Sequence, residues 1–216
     1  MPRPPHARGR GPVRRAGRAR LRTRAELAEE LRGALLAPDA ALAIDVHGGT
    51  EAAVLAPLYL DEHGEPHLVF TKRRDDLKRH AGEISFPGGR RDPEDADLTA
   101  TALREAHEEI GLPPDAVEIV GALPPTPTFV TNYAVYPFVG LIEPGFQWEL
   151  AAAEVAYVLE LPLETVRAAH GERRLVRRGV PFRTDTYQVG DHLIWGATAR
   201  MVRDLLARVT SHGGKP

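Results

Sequence analysis

Glu105, Glu108 and Glu109 lie close together in LREAHEEIGL (103–112), a short distance after the glycine-rich corner Phe86-Pro87-Gly88-Gly89. At 100° per residue the three acids share an arc of about 100° on a helix. Glu105 and Glu109 are i,i+4 neighbours, and such like-charge pairs cost a few tenths of a kcal/mol, about 0.2–0.5, unless something offsets them. Mg²⁺ or Mn²⁺ would offset them, because hard cations take oxygen ligands, and a negatively charged substrate would then complete the site. A solvated acidic helix face is the plainer alternative, and Arg104 at the edge of the cluster could neutralise part of the charge. The corner favours the first reading. Glycines there permit a tight turn and close approach of backbone to a ligand, so a peptide carbonyl at Gly89 could join the three carboxylates on a metal.

These residues need a helix and a sheet to hold them. Asp97 or Asp95 can cap a helix from about Leu98 to Ile110, with Gly111 as its stop. Leu98, Ala102, Leu103, Ala106 and Ile110 form its anchoring face. Upstream, TRAELAEELRGALLA predicts an amphipathic helix that opens with a Thr23/Glu26 capping box and ends at Pro38. Strands are expected at 51–60 and 67–73, as a hairpin around DEHGEP or as two neighbouring sheet strands, and at 117–123, 134–142, 155–161 and 181–190. LIWGATARMVRDLLARV (193–209) predicts a closing helix, since Leu193, Ala197, Met201, Leu205 and Val209 recur at i+4. Arg200 and Arg203 fall outside that stripe. Arg208 points into it, so its stem would lie along the surface with the guanidinium in water. The order is sheet, helix, sheet, helix without Rossmann-type βαβ repetition, an α/β (α+β) arrangement.

Composition limits the alternatives. The 216 residues suit one domain with tails: a basic tail at 1–22, a domain at 23–210 and a short tail at 211–216. Cysteine is absent, which removes disulfides and a thiolate nucleophile. No apolar run approaches the roughly 18 residues of a membrane span, and no secretion segment is evident, so a cytoplasmic protein is expected. Residues 1–24 hold nine Arg and no acid, leaving 19 Lys and Arg against 30 Asp and Glu in the remainder. Pro and Gly interrupt the basic stretch and aromatics do not interleave it, so nucleic-acid binding is not the expected role.

Gly89, Asp95 and Arg104-Glu105-Ala106-His107-Glu108-Glu109-Ile110-Gly111-Leu112 resemble the box of the Nudix hydrolases, G-x5-E-x7-R-E-U-x-E-E-x-G-U, where U is aliphatic. Aspartate stands in for the first glutamate, eight residues rather than seven separate it from Arg104, and Ala106 is small for its position. Leu68–Arg73 with Asp76–Gly89, and Ile194–Arg200 near the end, resemble the coenzyme A pyrophosphatase branch of that family. The resemblance implies a mixed β-sheet sandwiched between α-helices. It also implies Mg²⁺- or Mn²⁺-dependent cleavage of a nucleoside diphosphate, here coenzyme A or its acyl derivatives, to 3',5'-ADP and 4'-phosphopantetheine.

On this reading Glu105, Glu108 and Glu109 are the catalytic and metal-binding residues, with Glu105 the first choice to orient or deprotonate water. Asp95 would serve an outer metal or a salt link to Arg104. Arg79, Arg73, Lys72 and Lys78, with the backbone at Gly88 and Gly89, are candidates for substrate phosphates. Phe129 and Tyr133 could line an adenine or pantetheine pocket. His80 could touch substrate; His107 is expected at the surface and Trp195 as an anchor at the start of the closing helix. Ser85, Asp191 and His192 lack the pattern of a serine hydrolase. Other Nudix substrates (ADP-sugars, NADH, nucleoside triphosphates) and a non-catalytic coenzyme A-binding module are the competing readings, and a homodimer is the family-informed expectation.

Overall fold

The computed structural model describes residues 21–77, 81–128, 132–177 and 179–213. Helix α1 (Arg24–Ala34) opens with the expected capping box, Thr23 accepting from the Glu26 amide while Glu26 reaches back to the Thr23 amide. Pro38 does not end this helix. It stands in the first turn of a second short helix, α2 (Pro38–Leu42), where a missing amide proton is harmless.

Strands β1 (Thr50–Leu60) and β2 (Pro66–Arg73) then form the expected antiparallel hairpin, with Leu58 opposite Leu68. Two short strands follow, β3 (Ile84–Ser85) and β4 (Gly88–Arg90), before helix α3 (Leu98–Ile110). Next come β5 (Glu118–Ala122), β6 (Thr126–Pro127), β7 (Tyr133–Leu141), β8 (Val155–Pro162) and the short helix α4 (Leu163–Ala168). The chain continues as β9 (His170–Arg177), β10 (Val180–Val189) and β11 (His192–Trp195), then helix α5 (Gly196–Gly213).

The larger sheet runs β3–β2–β1–β7–β5, with β4 on β1, β6 on β7 and β8 on β2. β1 and β7 are parallel while their other neighbours are antiparallel, so the sheet is mixed. Alternation along β1 divides the core. Ala53 and Leu55 join Leu98, Ala102, Ala106 and Ile110 of α3 on one face. Ala52, Ala56 and Leu58 join Leu27 and Leu31 of α1 and Val202 and Leu205 of α5 on the other. Burying Leu98 and Ile110 stabilises the seat of α3 by about 1.5–3 kcal/mol each. Small Ala102 and Ala106, both fully buried, let that helix lie close to the sheet.

The C-terminal part departs from expectation. Leu193–Trp195 fit a helical stripe but pair with Thr186–Gln188 as β11, and α5 begins only at Gly196, whose φ of 68° makes the corner. Trp195 is therefore the last strand residue before the helix. β9 is a charged edge strand of a separate three-stranded sheet, β11–β10–β9. Arg208 does not reach only for water: its Nη1 donates to the Ala34 carbonyl at the end of α1. Among the described residues no helix is long and apolar enough to cross a membrane.

Candidate active site

Helix α3 is capped by Asp97, whose Oδ1 accepts from the Ala100 amide at 2.8 Å, and it ends on Gly111 at φ 71°. Its three glutamates do not share one environment. The Glu109 side chain is 8% exposed, Glu105 18% and Glu108 56%, so they step from the protein interior to solvent.

Strand β4 produces this gradient. Pro87-Gly88-Gly89 is not the tight turn expected; it leads into a strand against β1, with Val54 opposite Gly88 and Ala53 opposite Gly89. Gly88 adopts φ 155° and packs on β1 so closely that a Cβ would lie 2.3 Å from the Ala53 carbonyl oxygen. A Cβ on Gly89 would lie 2.3–2.6 Å from all three carboxyl atoms of Glu105. The backbone thus forms a cradle for one carboxylate at Gly89, while the Gly88 amide donates to Glu109 Oε2 at 3.3 Å.

Burial pushes the Glu109 carboxyl up to about 8, opposed by the nearby Arg73 guanidinium and reinforced by the Glu105 charge. Burial raises Glu105 too, against the lowering effect of Arg104. Arg73 Nη1 stands 3.7 Å from Glu109 Oε1, and Nη2 stands 3.5 Å from Glu154 Oε2. The buried Arg73 Nε has no hydrogen-bond partner among the described residues.

Arg104 organises the outer side. Its guanidinium grips Asp95 through two bonds of 2.9 and 3.1 Å and donates to the Arg90 carbonyl at 3.0 Å. Its Nη1 lies 3.1 Å from Glu105 and 3.0 Å from Glu108. Asp95 also accepts from Thr101 Oγ1 and the Asp92 amide, and the hydrogen bond from Arg104, outweighing burial, holds its carboxyl far below the usual range. Of its two expected roles, Asp95 takes the salt link to Arg104. The loop ahead of α3 absorbs the extra residue in the spacing and brings the shorter side chain to the guanidinium.

The donor set suits a divalent metal in type: carboxylates of Glu105, Glu108 and Glu109 beside the Gly89 backbone are all hard oxygen ligands. The cradle at Gly89 and the recessed Glu109 also fit a bound cation. Among the described residues, however, no three acidic or histidine side chains already stand as a ready cage. Arg104 occupies Glu105 and Glu108 instead, so a metal would take those oxygens in exchange for one arm of the guanidinium, the Asp95 grip being separate.

Among the substrate-binding candidates, Arg73 and both glycines meet the glutamates. Lys72 turns to Asp75, with Nζ 2.8 Å from Oδ1. Arg79, Lys78, His80 and Phe129 lie outside the described residues. Tyr133 opens β7 and accepts from Arg90 Nε at 2.6 Å. His107 is exposed, as expected. Sequence reasoning missed Glu154, which enters through Arg73. Its sole sequence signal is an acid one residue before the strand 155–162.

The comparisons decide the family. The family model for the NUDIX domain matches residues 49–178, which include β1 through α3 and the whole glutamate cluster. The chain belongs to the Nudix family. It is 41% identical over 174 residues to a protein described as an uncharacterized Nudix hydrolase NudL from Enterobacter sp. (strain 638), covering 80% of this chain and 88% of that one. A similarly described NudL from Cronobacter sakazakii is 41% identical over 168 residues, covering 77% and 84% of the two chains. Among solved structures, a MutT/nudix family protein from Enterococcus faecalis aligns with a TM-score of 0.51 at 12% identity, over 89% of this chain and 76% of that one, which supports the Nudix fold. This Nudix chain is a diphosphate hydrolase of the pyrophosphatase type.

Proposed function

We propose that this Nudix chain hydrolyses the diphosphate of coenzyme A or its acyl derivatives, giving 3',5'-ADP and 4'-phosphopantetheine or its acyl form. The observation that carries the narrower substrate is the segment 68–89. Its resemblance to the coenzyme A branch falls on β2, β3 and β4, and from there Arg73 and Gly88 reach Glu109. The family match supports diphosphate hydrolysis, and within it ADP-sugars, NADH and nucleoside triphosphates compete with coenzyme A.

Glu105, Glu108 and Glu109, with the Gly89 carbonyl, are the residues to hold Mg²⁺ or Mn²⁺. A divalent ion there would supply charge to neutralise the diphosphate and lower the pKa of an attacking water. The protein contributes position. Asp95 fixes Arg104, Arg104 braces Glu105 and Glu108 from outside, and Gly89 sets the depth of the Glu105 carboxylate. Arg73, which stands between Glu109 and Glu154, is the substrate-binding candidate placed to offer its guanidinium to a substrate phosphate oxygen. Glu105, largely screened from water and raised in pKa by burial, is the one of the three that would orient or accept a proton from the water instead of ligating metal.

Competition measures the substrate directly. Purified chain with Mg²⁺ or Mn²⁺ is given coenzyme A, ADP-ribose, NADH and nucleoside triphosphates, and products are identified by mass. A kcat/KM highest for coenzyme A supports the proposal, whereas a strong preference for ADP-ribose or another member of the panel replaces coenzyme A within the same class.

A further inference from the structure

Glu154 reaches the glutamate cluster from a segment with little regular structure of its own. Two of its amides are tied to the end of α3: Glu149 donates to the Ile110 carbonyl at 3.1 Å and Ala151 to the Glu109 carbonyl at 2.9 Å. Downstream, Val155 is buried in the core. Between these anchors a turn closes on the Ala151 carbonyl, which accepts from the Glu154 and Val155 amides at 2.8 and 2.9 Å, and Arg74 ties the outer side of that turn at 152 and 154. The Arg74 amide donates to the Glu154 carbonyl at 2.9 Å, and its Nη1 donates to the Ala152 carbonyl at 2.7 Å.

The guanidinium is itself fixed. Asp76 accepts from Nε at 2.8 Å and from Nη2 at 2.6 Å, a two-point grip that sets the plane of the fork and leaves Nη1 directed at Ala152. Arg74, Asp76, Leu150, Ala152 and Val155 border an open cleft of about 450 Å³, so apolar packing does not close the space between the two loops. The polar link spans it. The adjacent Arg73 side chain meets Glu109 and Glu154. One stretch of β2 and the turn after it therefore sets both the Glu154 backbone and the cation between the two carboxylates.

We infer that Arg74, oriented by Asp76, is a positioning residue for the hydrolytic site, acting by holding 152–154 so that Glu154 stays beside Arg73 and Glu109. This rests on the proposed diphosphate hydrolysis. Arg74 and Asp76 are substantially exposed, so their ion pair adds little to global stability. Its effect is on placement, where a displacement of about 1 Å in a group at the reacting centre can reduce rate by about 100-fold.

The test compares wild type, Arg74→Ala, Arg74→Lys, Glu154→Gln and the double variant Arg74→Ala/Glu154→Gln with saturating Mg²⁺ and the panel substrate that wild type cleaves fastest. Arg74→Ala is expected to lower kcat at least about 10-fold with KM nearly unchanged and Tm within about 3 °C of wild type. Arg74→Lys, which keeps one donor for Ala152, recovers part of the loss. If Arg74 acts through Glu154, the double variant is no slower than Glu154→Gln alone. Normal kcat in Arg74→Ala or in Glu154→Gln, or losses that multiply in the double variant, overturns the inference while leaving diphosphate hydrolysis intact. A folded wild type that cleaves none of the panel overturns both.

Discussion

Replacing Gly89 by alanine separates the geometry of the site from the stability of the fold. The new Cβ would lie 2.3 Å from Glu105 Oε1, and ordinary van der Waals contact begins at 3.4 Å. The carboxylate must therefore retreat by about 1.1 Å, the difference between those distances. It can do so, because it is the end of a flexible side chain rather than backbone. Gly89 is also free of the positive φ that would strain an alanine. The fold should survive with Tm changed by a few degrees, about 2–4 °C for each kcal/mol lost. Catalysis should not, because a misplacement of about 1 Å is worth up to about 100-fold in rate. Steady-state hydrolysis at saturating Mg²⁺, with a thermal melt on the same samples, makes the comparison. A Gly89→Ala protein with wild-type kcat would refute the cradle, and one that unfolds would show that Gly89 serves the fold first.

Gly88→Ala has the opposite signature. Its Cβ would meet the β1 backbone at 2.3–2.6 Å and its φ is 155°, so loss of more than about 2 kcal/mol is expected in a denaturant melt. Asp95→Asn weakens the grip on Arg104 and should cost about 2–3 kcal/mol at neutral pH in urea melts. Because the folded Asp95 pKa is lowered, its contribution is present above the ordinary value of 3.8 and is lost as pH falls through the folded value; the variant should lack that acid-side decline. Glu109 has the reverse sign. With its folded pKa raised from 4.5 to about 8, the metal-free protein should lose stability as pH rises across that interval, and Glu109→Gln should flatten the loss in melts run in chelator.

The parts legible in the sequence are those whose cause is local. Thr23 and Glu26 mark the start of α1 because a capping box needs residues only three apart. Leu98, Ala102, Ala106 and Ile110 locate the buried face of α3 because helical period alone brings them together. What depended on tertiary partners was read less well. A shared helical arc made Glu105, Glu108 and Glu109 look alike, yet β4 and Arg73 recess Glu109 while Glu108 stays in solvent. Leu193 and Ile194 suit either period, and pairing with β10 decides for a strand. HGERRLVR is not among the strands expected from the sequence, and it becomes strand β9 because a hairpin partner supplies its ladder, with charges suited to an exposed edge. Glu154 is distant in sequence from the glutamate helix and meets the site through Arg73, which no local pattern reveals.

The central claim is that the α3 glutamates support metal-dependent cleavage of a nucleotide-linked diphosphate. Product formation from coenzyme A and ADP-ribose, followed by mass for wild type and Glu109→Gln with Mg²⁺, with Mn²⁺ and with chelator, tests it most directly. The account predicts cleavage by wild type only with metal, and its loss in a Glu109→Gln protein that retains its fold. Cleavage that persists in chelator, or a fully active Glu109→Gln, would contradict it.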